Sequence, residues 1–98
     1  MIIKDERIYL NYTKDIRSKV ENLCTKIPLA TPQSLKQDIE KIRVTIFAKI
    51  GWIEIKAHPE EGLIPNSDWV RYQKEIDELL KELSGKIGNA ICYSKRHE

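Results

Sequence analysis

Residues 42–57, IRVTIFAKIGWIEIKA, constrain the fold more than any other stretch, because two incompatible periodicities run through them. Read as a hairpin turning near Gly51, with Ala48 paired to Gly51 or Ile53, they put Val44, Ile46, Ala48, Ile53, Ile55 and Ala57 on one face. Arg43, Thr45, Phe47, Trp52, Glu54 and Lys56 then share the other. Read as one helix over 34–57, the same segment carries Leu35, Ile39, Ile42, Ile46, Ile50, Ile53 and Ala57 at steps of three and four. Three observations favour the hairpin. The run is rich in β-branched and aromatic residues, which crowd a helix and suit a pleated surface. Gly51 costs a helix interior about 1 kcal/mol relative to Ala. A helix would also leave Val44, Ala48 and Ile55 on its far side, away from the stripe.

The flanking segments supply partners for that hairpin. Residues 7–12, RIYLNY, alternate, with Ile8, Leu10 and Tyr12 on one side and Arg7, Tyr9 and Asn11 on the other, which predicts a first strand. A helix follows, with Thr13 as N-cap, Asp15 in its first turn and Ile16, Val20, Leu23 and Ile27 as its apolar stripe. Thr31 before Pro32 predicts the N-cap and first position of a short helix through Leu35, Ile39 and Ile42. HPEEGLIPNS reads as a loop, and Ser67 caps a helix carrying Trp69, Tyr72, Ile76, Leu79, Leu80 and Leu83 that ends at Gly85. Residues 87–93 return as a last strand. Without the added short helix, the order is βαββαβ, and the expected fold is an α+β, ferredoxin-like sandwich with two helices on one face of a four-stranded antiparallel sheet. The alternative is an all-α bundle containing the long helix 34–57.

Length and charge narrow the functional classes. A chain of 98 residues holds one core, so a single domain is expected. Seventeen basic against fifteen acidic residues are dispersed along the chain, which gives no long-range attraction for a polyanion. No apolar run approaches the ~20 residues that span a bilayer, and MIIKDER places charge where a secretory leader needs apolar residues, so a cytoplasmic protein with no membrane partner is expected. Cys24 and Cys92 lie in no paired motif and read as buried thiols of a reducing compartment. His58 with Glu60 and Glu61 lacks a second histidine at ligand spacing and reads as a loop rather than a metal site, and His97 lies in the tail. No phosphate-binding loop, dinucleotide fingerprint, GxSxG or HExxH is present. Neither catalytic residues nor a cofactor are expected.

A sandwich of this kind leaves one sheet face uncovered, and that face is the expected site. It would carry Arg7, Tyr9, Arg43, Thr45, Phe47, Trp52, Glu54, Lys56 and Tyr93. An exposed aromatic patch is either a protein interface or a platform on which bases stack. The residues therefore predict a small, non-catalytic interaction or regulatory module that forms a homodimer or docks a protein partner. The alternative is an RNA- or DNA-binding protein using the same face. For that alternative, Arg7, Arg43 and Lys56 supply few phosphate contacts, and neither the aromatic signature of an RNA-recognition motif nor the basic flanks of a KH loop is present.

Overall fold

The computed structural model describes residues 6–56 and 64–96. Among them the chain forms three helices and no strand: α1 (Glu6–Cys24), α2 (Gln33–Lys56) and α3 (Asn66–Arg96). The expected ferredoxin-like sandwich is therefore overturned, and with it the α+β class, the hairpin and the open sheet face. The weighed alternative, one long helix through Gly51, describes α2.

Burial explains why the helical period prevails. Ile39, Ile42, Ile46, Ile50 and Ile53 all lie in the core. Each β-branched residue costs a helix at most about 0.7 kcal/mol relative to Ala, whereas fully burying one such side chain gains about 1.5–3 kcal/mol. The helix cost is thus outweighed at each core position. The hairpin also needs a neighbouring strand at 7–12, but those residues serve a helix. Tyr9 is 5% exposed and leads a buried stripe through Thr13, Ile16 and Val20, while Ile8 and Leu10, expected inside, face outward. Thr13, expected as a cap, sits within α1 and donates its hydroxyl to the Leu10 carbonyl at 3.0 Å, so its burial leaves no unpaired donor.

The helix starts share a device that the caps expected at Thr31 and Ser67 miss. Lys36 N donates to the Pro32 carbonyl at 3.0 Å and Trp69 N to the Pro65 carbonyl at 2.9 Å, so each proline carbonyl takes a first helical bond. Thr31 instead turns its hydroxyl back onto the Pro28 carbonyl at 2.6 Å, closing the loop between α1 and α2. The expected stop at Gly85 and the strand at 87–93 are also overturned. α3 runs on because Leu83, Ile87 and Ala90 stay buried in helical register, which outweighs about 1 kcal/mol at each of Gly85 and Gly88.

The helices pack up, down, up. Asp38 meets Lys86, Lys49 meets Glu75 and Trp52 meets Tyr72, so α3 steps back one residue for each residue α2 advances. Arg17 pairs with Glu54 while Cys24 shares a groove with Arg43, so α1 runs antiparallel to α2. Tyr9 and Tyr12 meet Trp69 edge-on at 4.7 and 5.0 Å between ring centroids, at the end where α1 and α3 begin. The result is a rod of 59 × 18 × 16 Å, with a radius of gyration of 16.1 Å against about 13 Å for a compact chain of this length. No described helix is long and apolar enough to cross a membrane.

Candidate interaction surface

Without a sheet, the nine residues expected on one face are redistributed. Tyr9 is in the core against Trp69, Arg7 is on the first turn of α1, and Tyr93 lies near the far end of α3. The other six belong to α2 and split into two flanks, because a step of 100° per residue separates them around the helix. Arg43, Phe47 and Glu54 lean toward α1. There Arg17 bonds Glu54, and the guanidinium groups of Arg17 and Arg43 stand 5.6 and 5.3 Å from the centre of the Phe47 ring. Thr45, Trp52 and Lys56 lean toward α3. There Trp52 Nε1 donates to the Tyr72 hydroxyl at 3.0 Å and the Lys56 ammonium stands 4.8 Å from the indole centre. Thr45 donates its hydroxyl to the Lys41 carbonyl at 2.8 Å.

Between the flanks runs an apolar ridge. Val44, Ala48, Gly51 and Ile55 point directly away from the buried isoleucines, with Val44 53% and Ile55 59% exposed and Trp52, 47% exposed, beside them. The hairpin would have made Val44, Ala48 and Ile55 core residues; the bundle leaves them exposed. Open space surrounds the Gly51 Cα, so no packing within the chain requires glycine there. With Ala48 it forms a low point between two bulky aliphatic residues. A groove of ≈ 380 Å³ lined by Thr45, Ala48, Lys49, Trp52 and Tyr72 borders the ridge on the α3 side. Another of ≈ 490 Å³ lies between α1 and α2, lined by Val20, Glu21, Cys24, Thr25, Arg43 and Phe47.

No protein family, characterised protein or solved structure matches this chain. The ridge itself is what its geometry offers for function. A helix apolar on opposite faces is ordinarily enclosed on both, and the bundle encloses only one face of α2. The signal was present in the sequence as Val44, Ala48, Gly51 and Ile55, spaced by four, three and four. It counted against a helix there because a lone bundle has no use for a second apolar face.

The ionisable groups around the ridge are tied to structural roles. Arg43 Nε donates to Glu40 Oε2 at 2.9 Å, and this bond holds the Glu40 carboxyl below its usual range and raises the Arg43 guanidinium. Burial pushes the Cys24 thiol up, against the pull of Arg43, and so disfavours its thiolate. Cys92, expected to be buried, is exposed on α3. On the α1–α3 side, burial followed by the Asp77 and Asp15 charges pushes Tyr12 up to about 12, and its buried hydroxyl finds no partner among the described residues. No three His, Cys, Asp or Glu side chains among the described residues come together as a metal site, and His58, Glu60, Glu61 and His97 lie outside those residues.

Proposed function

We propose that this chain is a non-catalytic helical interaction module that self-associates through the outward ridge of α2. The single observation that carries this reading is that α2 is apolar on two opposite faces while α1 and α3 cover only one. Burying Val44, Ile55 and the exposed part of Trp52 gains about 25 cal/mol per Å² of apolar surface removed from water. The flanking rings add little ordering cost, because Trp52 is held by Tyr72 and Lys56, and Phe47 by two arginines. A second copy is the proposed occupant because a two-fold axis lets the same ridge cover itself, each copy shielding Val44 and Ile55 of the other. A stacking surface for nucleic acid has less support. The sheet that would have aligned the rings is absent among the described residues, and Lys49 on the α3 flank is engaged by Glu75 at 3.0 Å.

The test is solution mass by light scattering across a concentration series. The wild type should approach a dimer as concentration rises. Ile55→Glu should remain monomeric with unchanged helicity, because the new carboxylate would be buried unpaired in the contact. A wild type that stays monomeric throughout, or an Ile55→Glu variant that dimerises like it, overturns the reading.

A further inference from the structure

We infer that the two copies lie with their α2 helices parallel, an orientation that rests on the self-association just proposed. The seam extends beyond the apolar ridge. Gln37, Lys41, Val44, Ala48, Gly51 and Ile55 alternate steps of four and three, the spacing of a coiled-coil contact line, and all are exposed or half-buried on α2. Glu40, Phe47 and Glu54 border that line on the α1 side, and Asp38, Thr45 and Trp52 border it on the α3 side.

The borders decide the orientation. Two parallel helices bring unlike borders together, offset by about five residues, whereas antiparallel helices bring each border against itself. In the parallel pair, Phe47 meets the partner's Trp52 and Glu40 meets the partner's Thr45, and each contact occurs twice by symmetry. Two aromatic pairs and no opposed carboxylates result. In the antiparallel pair that sets Val44 against the partner's Ile55, Phe47 meets the partner's Glu54 and Thr45 meets the partner's Trp52, so the aromatic pairs are lost and a carboxylate already bonded to Arg17 faces each Phe47 ring. Lys41 sharpens the choice. A lysine at one inner position of a parallel pair costs stability but fixes register, and here each Lys41 comes beside the partner's Glu40, the acidic residue on its border.

Disulfide trapping reads the orientation directly. In a Cys24→Ser, Cys92→Ser background, Val44→Cys and Ile55→Cys are made separately, with Glu78→Cys on the outer face of α3 as a collision control. Each is oxidised above the concentration at which light scattering shows the dimer. Parallel helices bring position 44 to its own copy and position 55 to its own copy. Each ridge variant alone should therefore cross-link on the order of tenfold or more faster than Glu78→Cys, because association raises the effective thiol concentration. If each ridge variant resists cross-linking alone and only their mixture cross-links, the helices are antiparallel and the inference fails while the dimer stands. A dimer in which neither the single variants nor their mixture exceeds the control also overturns the parallel seam. Light scattering that finds no dimer removes the self-association reading, and the orientation with it.

Discussion

α2 and α3 bury equivalent inner stripes and differ in what they show outside. α3 buries Ile76, Leu83, Ile87 and Ala90 and turns Lys74, Glu78, Lys81 and Glu82 outward, with Val70, 56% exposed, as an apolar exception near its start. α2 buries five isoleucines and turns Val44, Ala48, Gly51 and Ile55 outward. The bundle is complete with a charged outer face on α3, so its fold does not require an apolar one on α2. What the difference teaches is that the inner face of α2 answers to folding, while its outer face stays uncovered among the described residues, where the proposed association would bury it.

The largest expected effect separates those two faces within one helix. Ile50→Ala should lower stability by about 2–5 kcal/mol, since it removes a fully buried side chain and leaves a cavity. Ile55→Ala, five residues on, should change monomer stability by no more than about 0.5 kcal/mol. Denaturant unfolding at a concentration below association reads both. Equal losses would mean that the outer face belongs to the core and would erase the contrast.

A second comparison uses two glycines with open space around them, one on the ridge and one on α3. Gly51→Ala and Gly85→Ala should each stabilise the monomer by roughly 1 kcal/mol, the helix cost of glycine, read as a higher Tm. Only Gly51→Ala should also change association, because its methyl group enters the proposed seam. If both variants associate like the wild type, the ridge is not the contact.

How much of this was legible in the sequence follows from what each residue was asked to decide. The stripes from Ile39 to Ile53 and from Trp69 to Leu83 stood out at helical spacing, and both are helices. Local preference misled where burial opposed it. Gly85 read as a stop, RIYLNY as a strand and IRVTIFAKI as half of a hairpin, yet Ile87, Tyr9 and Ile46 each had a place in a helical core. Six residues of the expected site, Arg43, Thr45, Phe47, Trp52, Glu54 and Lys56, lie on the single helix α2 instead of on two strands. Alternation nevertheless put them on one face, where the helical turn puts them on two flanks. The ridge between was hidden because an apolar residue in a sequence is assigned inward by default.

Smaller effects test the interior of the contrast. Tyr12→Phe removes a buried hydroxyl without a partner among the described residues, so stability should hold or rise by up to about 1 kcal/mol near neutral pH. The pH dependence has a definite sign. With its folded pKa raised to about 12 from 10.0, Tyr12 keeps its proton when folded while the unfolded chain loses it. The wild type should therefore lose stability between pH 10 and 12, and Tyr12→Phe should lose less. An identical alkaline loss in both would remove Tyr12 as its source. The thiols should differ as well. Iodoacetamide should label exposed Cys92 well before half-buried Cys24, as peptide mapping of a time course would show, and equal rates would mean that the α1–α2 groove opens freely.

The most direct test of the claim that the outer face of α2 associates is a set of ¹H–¹⁵N spectra recorded through a dilution series. The account predicts concentration-dependent amide shifts centred on Val44, Ala48, Gly51, Trp52 and Ile55, with Lys74, Glu78, Lys81 and Glu82 on α3 unmoved. Shifts centred on α3, or spectra that do not change with concentration, would contradict it.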